Sequence, residues 1–163
     1  MEPRELLTRP DLDRCAALIR ESFATVAKEF GYTKENAPTF PAFITAEKLV
    51  SESAKGVRFF GFFDGPEQVG SVALEQAPEE RGVFFLERLA VRPSTRHRGL
   101  GVRLMDFVFA LARQWGGTLV KIAIVNENRV LKNWYIAYGF EETEMKTYPH
   151  LPFTVCFMEK SVD

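Results

Sequence analysis

The chain has little of what builds a metal centre or a disulfide framework, with two cysteines and two histidines in 163 residues. Cys15 and Cys156 stand far apart in apolar surroundings, as small core residues do, and their spacing suggests neither a redox pair nor a ligand pair. His97 and His150 are too few for a histidine-built site, and no nucleophile elbow accompanies them, so neither a metal nor a Ser-His-Asp constellation is expected. No apolar run approaches the length needed to span a bilayer, and Met1-Glu2-Pro3-Arg4-Glu5 lacks the apolar core of a signal peptide. The expectation is a cytoplasmic chain with no membrane partner. An excess of one charge is missing too: 21 Lys and Arg against 22 Asp and Glu leave a net charge of −1, which removes any sequence-wide pull toward nucleic acid.

What remains is the composition of a globular domain. Hydrophobic residues make up 46% and charged residues 26%, a balance that argues against disorder, and the length suits one domain over residues 1–163. Apolar positions Leu12, Cys15, Ala16, Ile19, Phe23, Val26, Ala27 and Phe30 recur at helical spacing, predicting a helix from Asp11, as N-cap, to Phe30, stopped by Gly31. A short strand over 5–8 precedes it. Pro38 and Pro41 make 32–43 a loop, and a second helix runs from Thr45 to about Ala54. Runs 57–63, 69–75 and 83–91, separated by turn residues, read as an antiparallel meander. A helix then begins near Gly99 and carries Leu100, Leu104, Phe107, Val108, Leu111, Ala112 and Trp115 on one face, and Leu119 to Val125 reads as a buried strand. Together these form a right-handed strand–helix–strand crossover between parallel neighbours. A helix over 128–138, closed by Gly139, and two strands over 140–146 and 153–160 complete an α+β chain.

The most informative stretch is Arg96-His97-Arg98-Gly99-Leu100-Gly101, where a strand ends and a helix begins. Glycine lets backbone approach a ligand, and the first N–H groups of a helix lack intrahelical acceptors and sit at the positive end of its dipole. Such a turn holds a phosphate or pyrophosphate well, and Arg96, His97, Arg98 and Arg103 surround it. A Walker loop is excluded because Gly101-Val102-Arg103 supplies neither its lysine nor its hydroxyl, and a dinucleotide-binding turn lacks its third glycine, where Leu104 stands. A glycine-rich loop that merely turns is the alternative.

Leu89-Ala90-Val91-Arg92-Pro93, Arg96-x-x-Gly99-x-Gly101, then Asn128 and Tyr135 before Gly139-Phe140 resemble the GNAT superfamily of acyl-CoA-dependent N-acyltransferases. The motifs cover residues 86–140, and the element order resembles that family's fold over nearly the whole chain. The resemblance implies a central mixed, mostly antiparallel sheet with flanking helices, and a strand ending at Val91 that splays from the strand over 119–125. Acetyl-CoA, as co-substrate, would lie in that gap, its pantetheine arm pairing with the backbone at Leu89, Ala90 and Val91. Backbone N–H groups from His97 through Arg98, Gly99, Leu100, Gly101 and Val102, with Arg96 at the start of the loop, would hold the pyrophosphate. Asn128 would contact the arm, although Asn is equally at home as the N-cap of the helix it opens.

Acetyl transfer to an amine needs a base for the nitrogen and a proton for the departing sulfur. Tyr135 stands at the family's position for the acid, against the alternative of a core aromatic beside Trp134 and Tyr138. Glu87, within the otherwise apolar run Phe84-Phe85-Leu86, is the candidate base, since burial raises a carboxyl pKa; the alternatives are a solvated position, a partner for Arg88 or Lys121, or a water chain as base. The amine acceptor would be read by the aromatic-rich segments 30–43 and 148–150 and the turn near Pro78, with Glu29, Glu35 and Glu47 as candidate anions. A CoA-binding regulatory module that lost the chemistry is the second function class, and an edge strand near the C-terminus offers a route to a homodimer.

Overall fold

The structure, a computed structural model, describes residues 3–163. Its elements are β1 (Pro3–Glu5), α1 (Arg9–Phe30), α2 (Ala46–Ala54), β2 (Arg58–Asp64), β3 (Glu67–Gln76), β4 (Val83–Val91), α3 (Leu100–Gln114), β5 (Leu119–Val125), α4 (Arg129–Tyr138), β6 (Glu141–Thr147) and β7 (Thr154–Ser161). The strands form one seven-stranded sheet in the order β1-β2-β3-β4-β5-β7-β6, antiparallel throughout except where β4 meets β5. This is the expected α+β architecture.

Strand alternation sorts side chains to two helical layers. Phe59, Ala73 and Ala90 pack with Leu12, Cys15, Ala16 and Ile19 of α1 and Leu49 of α2. Phe60, Phe62, Val72, Leu74, Phe84 and Leu86 face Leu104, Met105 and Val108 of α3. Both cysteines are buried core residues, as expected.

The first helix starts two residues earlier than its apolar periodicity suggests, and the first strand is displaced accordingly. Thr8 is the N-cap and Asp11 is the third helical residue of a reciprocal capping box, so Asp11 is not itself the cap. Burial opposes ionisation of Asp11, but N–H groups of Thr8 and Leu7, the Thr8 hydroxyl and Arg4 all donate to its carboxylate and bring its pKa down to about 2. The box draws the chain out of the strand at Leu6, leaving β1 only Pro3–Glu5 against Phe60–Phe62.

Candidate active site

Two irregularities open the sheet at one place. First, β4 and β5 pair only through Val83–Leu119, Phe84–Val120 and Phe85–Lys121, and no pairing continues from Leu86 toward Val91. Second, β4 carries a bulge: Ser71 faces Ala90 and Ala73 faces Glu87, so Val72 opposes both Arg88 and Leu89. Arg88 adopts φ 55°, a left-handed conformation that a β-branched or bulky side chain rarely takes. Its guanidinium is held by Glu52 of α2 at 2.8 Å, and its carbonyl accepts from the Ser71 hydroxyl. These contacts hold the bulge, which re-aims Leu89 and Val91 into the gap. The result is a cleft of about 1090 Å³ lined from both faces of the sheet.

On the α3 face the cleft ends at the glycine loop. Gly99 is the N-cap of α3 in the left-handed conformation, φ 75°, and no side chain among the described residues caps the helix. His97, two residues earlier, is left-handed as well at φ 65°. None of the backbone N–H groups from His97 to Val102 finds an acceptor among the described residues, and alternating backbone handedness of this kind forms an anion-binding nest. Gly99, Leu100, Gly101 and Val102 line the cleft there, with open space where a Gly99 Cβ would stand.

Gly101 serves a different purpose. A Cβ on it would lie 3.0 Å from the Trp134 ring of α4, so glycine is needed for the approach of α4. Arg96 is likewise occupied: it donates to the Ser22 carbonyl at 2.7 Å and reaches Thr25, fastening the loop to α1, which leaves its backbone to face a ligand. His97 and Arg98 are exposed; His97 lines the cleft and Arg98 does not.

Asn128 caps α4, its side-chain oxygen accepting from the Leu131 N–H at 3.2 Å. It also lines the cleft, so its amide nitrogen can serve a ligand while the oxygen caps the helix. Tyr135, one of the α4 residues along the same wall, is 4% exposed and packs edge-on against Trp134 and Phe140. Its hydroxyl has no partner among the described residues, and burial raises its pKa well above the ordinary phenol value, keeping the proton on at neutral pH.

Glu87 sits on β4 just before the bulge. Of the partners the sequence left open, Arg88 goes to Glu52 and Lys121 to Glu80, so Glu87 keeps no ion pair among the described residues. Burial, reinforced by the neighbouring Glu75 carboxylate on β3, raises its pKa to about 7. Glu75 was not singled out from sequence. The signal is the strand register, which sets it two residues beyond the Ala73 that faces Glu87, on the same side of the sheet.

The α1 face of the cleft is aromatic and aliphatic: Phe23 and Val26 from α1, Phe40 from the segment before α2, and Leu151, Phe153 and Phe157 from the C-terminal hairpin. Of the expected acceptor segment 30–43, Thr39, Phe40 and Pro41 line the cleft. The turn near Pro78 contributes nothing to it, and of the C-terminal hairpin it is Leu151 and Phe153, not 148–150, that line the cleft, while Tyr148 and His150 pack tilted against one another at 5.8 Å. Of the candidate anions only Glu29 lines the cleft; Glu47 is paired with Arg9, and Glu35 lies elsewhere.

The cleft thus brings a strand pair that stops pairing beside an uncapped helix N-terminus together with a phenol and a desolvated carboxyl among its lining residues. The model of the acetyltransferase (GNAT) family matches residues 19–140, and the chain belongs to that family. It is an acetyl-CoA-dependent N-acetyltransferase. An uncharacterized N-acetyltransferase from the pepI 3′ region of Lactobacillus delbrueckii subsp. lactis is 29% identical over 140 residues, 82% of this chain and 80% of that one. The PaiA N-acetyltransferase from Thermoplasma acidophilum, solved in complex with coenzyme A, superposes with a TM-score of 0.79 at 21% identity, covering 99% of each chain. The ribosomal-protein-S18-alanine N-acetyltransferase from Escherichia coli superposes with a TM-score of 0.77 at 14% identity over 99% of this chain and 93% of that one, a likeness of fold.

Proposed function

We propose that the protein acetylates a primary amine by direct transfer within a ternary complex, with Glu87 as base and Tyr135 as acid. The carrying observation is the juxtaposition in one cleft of a helix N-terminus without a side-chain cap, a half-buried carboxyl without an ion pair and a phenol whose hydroxyl has no partner, all among the described residues. Leu89, Ala90 and Val91 would pair with the extended arm of acetyl-CoA along the splayed edge, Asn128 would contact it, and the N–H groups of 97–102 would hold its pyrophosphate. When bound, acetyl-CoA supplies the activated acyl group.

The chain's residues then move two protons. As the amine nitrogen bonds to the acyl carbon and the carbon–sulfur bond breaks, Glu87 takes the proton lost by nitrogen and Tyr135 Oη supplies the one gained by sulfur. Exchange with solvent restores both groups. A base near pKa 7 is half ionised at neutral pH, where it is ready to accept, and the raised Tyr135 pKa keeps the acid loaded. Cytoplasmic residence belongs to the same proposal; no helix among the described residues is long and apolar enough to cross a membrane. The test is thiol release from acetyl-CoA against an amine panel. Release dependent on an amine supports the reading, and acetyl-CoA binding with no release for any amine contradicts it.

A further inference from the structure

The acceptor half of the cleft has a chemistry of its own. Its wall joins three segments distant in sequence: Phe23 of α1 meets Phe40 edge-on at 5.8 Å, Phe40 meets Tyr32 at 5.1 Å, and Phe153 meets Tyr32 at 5.2 Å and Phe40 at 6.2 Å. The segment before α2 and the C-terminal hairpin are thereby tied to one another, giving a continuous aromatic wall of Phe23, Phe40 and Phe153 along this flank of the cleft, backed by Tyr32.

Charge follows the same division. Glu87 is the one half-buried carboxyl among the cleft-lining residues, while Glu29 and Glu144 lie exposed, where water screens them and Lys146 stands 3.7 Å from Glu144. The cationic side chains of Arg88 and Lys121 are committed to Glu52 and Glu80. A polycation entering this half would bring second and third ammonium groups against phenylalanine with no buried carboxylate to meet them. One amine on an apolar body matches both the wall and the one half-buried carboxyl that lines the cleft, Glu87, with Glu75 beside it on β3.

We propose that the acceptor is a small primary monoamine carried on an aromatic or comparably apolar body, its nitrogen at Glu87 and its body against Phe40, Phe153 and Phe157. This rests on the direct-transfer reading above and names the substrate class for it. The full chain is assayed with acetyl-CoA by thiol release against 2-phenylethylamine and tryptamine, spermidine and kanamycin, and a short peptide with a free N-terminus. The expected result is a kcat/KM at least about tenfold higher for the aromatic monoamines than for the other two groups. In Phe153→Ala the KM for 2-phenylethylamine should rise about tenfold with a far smaller change in kcat, and Phe153→Leu should recover part of it. Calorimetric acetyl-CoA affinity unchanged in both variants shows that they are folded. Preference for the polyamine, the aminoglycoside or the peptide, or a Phe153→Ala variant with unaltered KM for 2-phenylethylamine, overturns the inference while leaving amine acetylation standing. Acetyl-CoA binding with no thiol release for any amine overturns the transferase reading and the inference with it.

Discussion

Replacing Glu87 with Gln should trade stability against turnover, with a pH signature. The carboxyl rises from an ordinary 4.5 to about 7 on folding, because burial and the Glu75 carboxylate disfavour its charge. Below the unfolded value both states hold the proton and the group is neutral to stability. Between pH 4.5 and about 7 the unfolded chain releases a proton that the folded protein keeps, so stability falls as pH rises, and above about 7 the full penalty stands. Across that interval the penalty amounts to roughly 3 kcal/mol. Glu87→Gln removes it, so the variant should match the parent at pH 4 and exceed it in Tm by roughly 6–12 °C at pH 8. Turnover at pH 8 should fall by about two orders of magnitude. The rising limb of the parent's kcat/KM profile, centred near pH 7, should disappear with it. Thermal unfolding and initial-rate profiles of the two proteins across pH 4–9 measure all three. An equal Tm gain at pH 4 and pH 8, or none at pH 8, would refute the desolvated carboxyl; undiminished turnover would refute the base.

Other perturbations separate binding from chemistry. Tyr135→Phe should lower kcat by about 10²-fold with little change in the calorimetric affinity for acetyl-CoA, since the phenol is asked only to donate a proton. Gly99→Val forces a β-branched residue to φ 75° in the loop and should weaken acetyl-CoA binding by at least about tenfold. Gly101→Val meets the Trp134 ring instead, and should show a shifted tryptophan emission and about 1–3 kcal/mol lower stability in denaturant unfolding. Asp11→Asn should lose about 2 kcal/mol at neutral pH, an effect that fades as pH falls from the ordinary 3.8 toward about 2, where the native carboxylate is itself protonated.

The parts of this fold that could be read from sequence are those whose signal is local. β4 and β5 fall on Val83–Val91 and Leu119–Val125 as their apolar runs predict, and Gly31 ends α1 in the left-handed conformation expected of a stop. The start of α1 was misplaced because Thr8 and Asp11 are both good caps, and only the reciprocal hydrogen bonds decide between them. In the site, the loop glycines and the apolar setting of Glu87 were legible. What was hidden is relational: that Arg96 fastens to α1, that Gly101 makes room for Trp134, that Glu75 stands beside Glu87, and that Phe40 meets Phe153. Each depends on strand register or on packing between segments far apart in the chain. The edge strand β6 also differs from its simple reading: all seven residues are exposed and four of them are charged, which blunts it against pairing.

The central claim is that the uncapped start of α3 holds the pyrophosphate of acetyl-CoA, and calorimetric titration with acetyl-CoA beside S-acetylpantetheine, which lacks that group, tests it most directly. Six N–H groups and the helix dipole directed at an anion predict that acetyl-CoA binds at least about 100-fold more tightly, with the difference shrinking in Gly99→Val. Equal affinity for the two thioesters would contradict the account.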